Sequence, residues 1–151
     1  MSDLVRIFKS DIVNAPIDQV WQLVRSFNGL PQWAAGISAS IIENGREDNS
    51  IGCVRSLSLA GGEEPIREEL LSFDEKNHTY SYTILDGPLP FKNYKHYYST
   101  ITLREITESN TTFIEWKSEF FCPLGEHDSA KPIVEGVYVG GINALKKKFS
   151  Q

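Results

Sequence analysis

The chain has 151 residues, of which 40% are hydrophobic and 23% are charged, and its formal net charge is −5 at pH 7. This length predicts one domain over residues 1–151 with a sizeable core, and the composition is that of a globular chain. The negative charge disfavours nucleic-acid binding, because phosphate contacts need a basic surface. With no apolar leader and no window that could span a bilayer, we expect a cytoplasmic protein without membrane insertion.

The first predicted element is a strand over residues 4–13, where apolar and polar residues partly alternate. A helix follows, with Asn14 as the expected N-cap and Pro16 in the first turn. Its apolar residues at helical spacing are Val20, Trp21, Val24 and Phe27. The pair Asn28-Gly29 is expected to end it, before a second short helix at residues 30–33.

Six further strands are predicted, separated by short segments rich in turn-forming residues. They cover residues 37–43, 52–59, 66–74, 78–85, 94–106 and 111–122. Connections this short favour antiparallel hairpins over crossovers. The sequence therefore predicts an α+β fold, with the helices on one face of a seven-stranded antiparallel sheet.

The last predicted element is a long amphipathic helix over residues 129–149, capped by Ser129. Its predicted apolar face consists of Ile133, Val137, Gly141, Ala144 and Leu145, with Gly136 and Gly140 beside it. Each glycine costs a helix roughly 1 kcal/mol relative to alanine. Because small residues stand where a packed core needs large ones, we expect a hollow between this helix and the sheet.

Alternation along the strands predicts which side chains point into that hollow. They are Arg55, Leu57, Leu59, Ile66, Glu68, Leu70, Tyr80, Tyr82, Ile84, Tyr94, His96, Tyr98, Trp116, Ser118 and Phe120. For residues 94–98 this assignment requires a β-bulge, because Ile101 and Leu103 have the opposite parity. Arg55 and Glu68 lie on consecutive strands and can pair, as buried charges must.

The sequence carries no motif for metal, cofactor or disulfide chemistry. Cys53 and Cys122 form neither a disulfide framework nor a CxxC site, and the three histidines lack the spacing of metal ligands. Glycine-rich phosphate loops and a GxSxG sequence are also absent. We therefore expect neither a metal ion nor a cofactor.

The order of elements, the segment Asn-Ala-Pro-Ile-Asp-Gln-Val-Trp at residues 14–21 and the glycine-bearing last helix resemble the START-like superfamily. The likeness is greatest to the polyketide cyclase/dehydrase-type family and its abscisic-acid-receptor-like branch. Residues 80–94 are similar in sequence to bacterial members of that branch. The resemblance implies the helix-grip fold, in which a curved sheet wraps around the long C-terminal helix.

The resemblance also implies a ligand cavity whose mouth is formed by residues 59–65 and 87–93, the gate and latch loops of the receptors. The polar pocket positions of the receptors correspond to Arg55, Glu68 and Tyr94. Their carboxylate-binding lysine would fall near Ala34, and its loss removes a charge-assisted hydrogen bond. We therefore expect that this protein is not an abscisic-acid receptor.

These features predict that the protein binds a small hydrophobic ligand, which is lipid-like, aromatic or polyketide-like, between the sheet and the last helix. The expected ligand contacts are Arg55, Leu57, Leu59, Glu68, Tyr82, Leu89, Tyr94, His96, Trp116, Ser118, Phe120, Ile133, Val137 and Gly141. An alternative is a polyketide cyclase or dehydratase in the same cavity, with His96 as acid or base and Tyr94 as proton donor. A third hypothesis is a partner-binding protein with a vestigial cavity. Apolar residues of the mouth loops also suggest a homodimer contact there.

Overall fold

The computed structural model describes residues 1–34, 36–62 and 64–150. Within these residues the chain forms seven strands, two α-helices and three 3₁₀ turns. The strands are β1 (Ser2–Val13), β2 (Ile37–Ile42), β3 (Val54–Leu59), β4 (Ile66–Asp74), β5 (Thr79–Asp86), β6 (Lys95–Ile106) and β7 (Thr111–Pro123). The helices are α1 (Ile17–Val24) and α2 (His127–Lys148), and the 3₁₀ turns are Phe27–Gln32, Glu43–Gly45 and Phe91–Asn93.

The strands form one antiparallel sheet in the order β1-β7-β6-β5-β4-β3-β2. Hairpins join β2 through β7 in sequence, and β1 pairs with β7, so the first and last strands are neighbours. The helix α2 packs mainly against β1 and also contacts β7. This arrangement confirms the predicted α+β architecture with a long C-terminal helix on the sheet.

The predicted helix caps are wrong. Pro16 occupies the N-cap position of α1 instead of Asn14, and Glu126 occupies that of α2, where Ser129 lies in the first turn. The helix α1 also ends at Val24 and does not continue through Phe27.

The early end of α1 has a physical cause in a distant loop. The side chain of Asn49 accepts a hydrogen bond from the backbone N–H of Phe27, and Asp48 accepts one from that of Asn28, both at 2.9 Å. These acceptors hold the first N–H groups of the 3₁₀ turn Phe27–Gln32, as caps do at a helix start. The turn therefore replaces both the end of the predicted first helix and the predicted second one.

A bulge at the start of β6 changes which of its side chains face the core. Lys95 pairs with Phe121 whereas Tyr98 pairs with Glu119, so β6 takes one residue more than β7 over this step. His96 lies inside the bulge with a φ of 54°, in the left-handed region.

The consequence of this bulge is a change of parity along β6. Tyr94 is buried as predicted, but Tyr97 is buried in place of its neighbours, and Tyr98 is 49% exposed. The prediction that His96 and Tyr98 point inward is therefore wrong. Ile101 and Leu103 are buried, as the corrected parity requires.

The inner face of α2 differs from the predicted one by about one position. Its buried residues are Ala130, Val134, Tyr138, Gly141, Ile142 and Leu145. Ile133 and Val137, which we expected on this face, are 40% and 48% exposed. Gly136 and Gly140 are exposed, and a Cβ atom at either position would meet no other atom within 4 Å. The expectation that these two glycines create the hollow is therefore wrong.

Gly141 has a different role, because it lets α2 approach two tryptophans. A Cβ atom at this position would lie 2.8 Å from Cζ3 of Trp116 and 3.4 Å from Cζ3 of Trp33. The Trp116 ring cannot move aside easily, since it stacks on Tyr138 with ring centroids 4.4 Å apart. The absence of a side chain at Gly141 is thus a packing requirement and does not leave an empty space.

We predict opposite effects of alanine at two adjacent glycines. Gly140→Ala will raise the free energy of unfolding by about 0.5–1 kcal/mol, because the position is exposed and alanine favours the helix. Gly141→Ala will lower it by about 1 kcal/mol or more, because overpacking costs roughly 1–3 kcal/mol and exceeds that gain. Urea unfolding of both variants measures the difference. Equal stabilisation by both would contradict the contact between α2 and Trp116.

Candidate functional site

A cavity of 220 Å³ lies between the sheet and α2. We call it the central cavity. Its wall is formed by the inner sides of β3, β4 and β5, by parts of β6 and β7, by the middle of α2, and by the two 3₁₀ turns nearest to it. Most of its lining atoms are apolar, and the charged side chains among its described lining residues are Arg55 and Glu68.

Half of the residues that we predicted as ligand contacts line this cavity. They are Arg55, Leu57, Leu59, Glu68, Tyr82, Trp116 and Val137. The six that lie on strands have the inward orientation that the strand alternation predicts. The seventh, Val137, reaches the wall from a partly exposed position on α2. Contact of these side chains with a ligand stays a prediction.

The other predicted contacts lie away from the described wall of the cavity. They are Leu89, Tyr94, His96, Ser118, Phe120, Ile133 and Gly141. Leu89 is 68% exposed, and Ile133 is turned toward solvent. Tyr94 and Phe120 are buried against each other, with ring centroids 4.6 Å apart. Gly141 faces Trp116, as described above.

Nine residues of the wall were absent from the predicted set of contacts. They are Leu30, Ala34, Ile37, Ile66, Ile84, Phe91, Tyr97, Val134 and Tyr138. Strand alternation places Ile66 and Ile84 on the inner face, so these two could have been included. Tyr97 was missed because of the bulge, and Val134 and Tyr138 because of the altered phase of α2. Leu30 and Phe91 lie on 3₁₀ turns, which lack a period that would reveal their orientation.

Arg55 and Glu68 form a buried ion pair on neighbouring strands, as the sequence suggested. They stand directly opposite each other on β3 and β4, and Arg55 is only 1% exposed. Arg55 donates from Nε and Nη2 to Oε1 of Glu68, at 2.9 and 2.7 Å. Its Nη1 donates to the backbone oxygen of Phe27 at 2.6 Å, and its guanidinium carbon lies 3.9 Å from the Phe27 ring centroid. These contacts fix the guanidinium in both position and orientation.

Burial acts on the protonation of both members of this pair. Burial disfavours the charge of Arg55, but Glu68 together with Tyr80 and Tyr82 outweighs this effect, and the pKa of Arg55 is raised. Burial also raises the pKa of Glu68 above its ordinary value, although attraction to Arg55 opposes that shift. Two N–H donors on one oxygen at short distance suit the ionised carboxylate.

A network of hydroxyl groups lines another part of the wall. Trp116 donates from its indole nitrogen to the hydroxyl of Tyr82 at 3.0 Å and to Oγ of Ser99 at 3.2 Å. The hydroxyl of Tyr138 is hydrogen-bonded to Ser99 at 3.0 Å and to the hydroxyl of Tyr97. Burial raises the pKa of Tyr82, Tyr97 and Tyr138 well above the usual value, so these phenols stay neutral.

Two larger depressions lie at the surface. One of 410 Å³ is lined mainly by outward-facing residues of β1, β6 and β7, such as Phe8 and Tyr98. The other, of 600 Å³, lies where β1 and β6 begin and β7 ends, and His96 lines it. His96 is therefore separated from the central cavity by the sheet. We take the central cavity as the candidate site, because its wall combines apolar enclosure with a few fixed polar groups.

The described residues offer no group of three His, Cys, Asp or Glu side chains that could hold a metal ion. In the same part of the chain, none of the helices is both long enough and apolar enough to pass through a bilayer.

We predict that removing one charge of the buried pair lowers the free energy of unfolding more than removing both charges does. Glu68→Leu leaves Arg55 buried without a counterion and will lower the free energy of unfolding by about 3–5 kcal/mol. The double variant Arg55→Met/Glu68→Leu will lose less than Glu68→Leu alone, because apolar side chains of similar volume replace both charges. Urea unfolding of the two variants tests this order, and an equal or larger loss in the double variant would contradict it.

The buried phenols predict a loss of stability in alkaline solution. Burial raises the pKa of Tyr80 to about 12, and those of Tyr82, Tyr97 and Tyr138 are raised as well. A tyrosine whose pKa is higher in the folded state than in the unfolded state contributes its full stabilisation at pH values below the unfolded pKa of about 10. This contribution is lost as the pH rises through the pKa of the folded state. The free energy of unfolding will therefore fall between pH 10 and 12, as urea unfolding can measure. Absorbance at 295 nm will show these tyrosinates appearing only as the chain unfolds, and their full appearance at pH 10 in a folded chain would contradict the burial.

Comparison with known proteins agrees with this geometry. Residues 5–150 match the family model described as polyketide cyclase / dehydrase and lipid transport. The chain is 33% identical to the protein XoxI from Bacillus cereus, with a TM-score of 0.84 over 96% of this chain and 95% of that one. An uncharacterized protein from Bacillus thuringiensis is 36% identical, with a TM-score of 0.83 over 96% of this chain and 98% of that one.

A more distant structure has the same architecture. A protein from Nitrosospira multiformis is 26% identical and has a TM-score of 0.85 over 97% of each chain. The family match covers nearly the whole sequence, and the structural matches include the sheet and the long C-terminal helix. The chain therefore belongs to the polyketide cyclase/dehydrase and lipid transport family, whose members have the START-like helix-grip fold.

Proposed function

We propose that this protein binds a small, mainly apolar ligand in the central cavity. The observation that carries the proposal is an apolar and aromatic wall interrupted by one buried ion pair, Arg55 with Glu68. Small-molecule sites combine these features, with apolar surface for affinity and a few fixed polar groups for orientation. The family description, which includes lipid transport, supports the same function.

The volume of the cavity limits the size of the ligand. An engineered cavity of about 150 Å³ in another protein holds benzene, which has about six non-hydrogen atoms. By proportion, the central cavity holds a ligand of roughly nine non-hydrogen atoms. The 220 Å³ available here therefore suits a single substituted ring better than a long acyl chain. A longer ligand would have to extend through the mouth.

The mouth of the cavity lies where its wall is partly exposed. Val137 is 48% exposed, and Leu59 and Phe91 are half-buried, although all three line the cavity. Lys92 and Glu64 face each other across this region, with Nζ and Oε2 3.6 Å apart. A ligand that enters between the segments that carry Glu64 and Lys92 would contact Val137 first.

The alternative function, a cyclase or dehydratase, needs a group that transfers protons to a substrate in the cavity. His96 lines a depression on the outer face of the sheet, Tyr94 packs against Phe120, and neither is among the described residues of the cavity wall. Neither candidate supports turnover in this cavity, so binding is the function that the geometry favours.

The proposal predicts that a large side chain at the mouth blocks binding. Ethylbenzene, a neutral probe of suitable size, will shift the amide resonances of residues around the cavity in an NMR titration of the wild-type protein. Val137→Phe will weaken this binding at least about tenfold, because the ring occupies the mouth and removes apolar contact area.

The matched control is Val139→Phe, on the same helix. Val139 is 40% exposed and does not line the cavity, so this variant will bind the probe as the wild type does. Equal weakening by both variants, or probe-induced shifts confined to the outer face of the sheet, would contradict binding in the central cavity.

A further inference from the structure

We propose that Glu68 selects a neutral ligand that carries an O–H or N–H donor, such as a phenol or an alcohol on a single ring. This inference rests on the proposed function and specifies the chemistry of its ligand. It follows from an asymmetry between the two oxygens of the Glu68 carboxylate.

The two oxygens of Glu68 have different surroundings. Both donors from Arg55 bind the same atom, Oε1. Among the described residues, none donates a hydrogen bond to Oε2. Glu68 lines the cavity, and 8% of its side-chain surface remains accessible. Oε2 is therefore the acceptor that a bound molecule can reach.

An acceptor in this position discriminates between ligands. A purely apolar molecule would cover Oε2 and remove it from water without replacing its hydrogen bond, which is unfavourable for a charged group. A ligand hydroxyl or N–H group would donate to Oε2 and form a charge-assisted bond. The same donor would orient the ring against the aromatic wall formed by Tyr82 and Trp116.

The charge distribution favours a neutral donor over an ionic ligand. Arg55 already balances the charge of Glu68, so the pair as a whole offers no excess charge. A ligand carboxylate would be repelled by Glu68, and Arg55, the cation among the described lining residues, is already paired with it. An ammonium ligand would approach the guanidinium of Arg55, which is held next to the same carboxylate.

The test uses four compounds of nearly equal size in NMR titrations. They are 4-ethylphenol, ethylbenzene, 4-methylbenzoate and 4-methylbenzylammonium. In the wild-type protein, 4-ethylphenol will bind at least about tenfold more tightly than either ion, because burying an ion is costly. In Arg55→Met/Glu68→Leu, the affinity for 4-ethylphenol relative to ethylbenzene will fall about 10- to 100-fold, the usual contribution of a hydrogen bond to a charged group.

A second variant tests the same oxygen while keeping an acceptor for the N–H groups of Arg55. In Glu68→Gln the amide oxygen will take the place of Oε1, because Arg55 can only donate, and the NH₂ group will face the cavity. The preference for 4-ethylphenol will then fall, and 4-ethylanisole, which can only accept, will gain affinity relative to the wild type.

The outcomes separate this inference from the proposed function. If ethylbenzene binds but its affinity relative to 4-ethylphenol is the same in the wild type and the variants, the role of Glu68 is wrong and the cavity function stands. If 4-methylbenzoate or 4-methylbenzylammonium binds as tightly as 4-ethylphenol, the preference for a neutral ligand is wrong. If none of the four compounds binds the wild-type protein, both proposals are wrong.

Discussion

The buried guanidinium of Arg55 is the constraint on which the arrangement around the central cavity depends. It links Glu68 on the neighbouring strand to the backbone of Phe27, which belongs to a different layer of the fold. Since a buried charge that loses its partners is strongly destabilising, these three groups must stay together. Asp48 and Asn49 accept hydrogen bonds from the backbone N–H groups at the start of the same 3₁₀ turn. Directional polar contacts therefore set the position of this part of the cavity wall, where apolar packing alone would allow more freedom.

The cavity exists because α2 lies close to the sheet in one region and farther away in another. At Gly141 the helix backbone approaches Trp116 so closely that a methyl group would not fit. One turn before it, Tyr138 stacks on the same tryptophan and fills the space beneath the helix. The free volume begins beyond that stack, at Val134 and Val137. Gly141 thus allows α2 to lie close to the sheet, and the stack of Tyr138 on Trp116 marks where this close contact ends and the cavity begins.

Much of the fold could be predicted from the sequence, because strand alternation and turn composition are local signals. The same alternation placed Arg55 and Glu68 on one face of adjacent strands, where the structure shows them paired. His96 was misplaced because the expected bulge lies between Lys95 and Tyr98, earlier in the strand than the prediction required, so that His96 stands inside it. The inner face of α2 was misjudged because apolar residues also lie outside it: Ile133 and Val137 are partly exposed, and the buried face begins one position later, at Val134 and Tyr138. Residues on 3₁₀ turns could not be assigned, because their orientation is set by contacts distant in sequence.

An ion pair inside an apolar cavity requires an explanation beyond stability. Well-packed apolar residues in its place are often at least as stabilising, so the fold alone gives little reason to retain both charges. The anchoring of Phe27 explains Arg55, and Oε1 of Glu68 is enough to balance that charge. Neither role uses Oε2, which accepts no hydrogen bond from the described residues and belongs to a side chain that lines the cavity. One oxygen of this carboxylate thus stabilises the fold, and the other can accept a hydrogen bond from a ligand. This division suits a preformed site that binds a ligand with an O–H or N–H group.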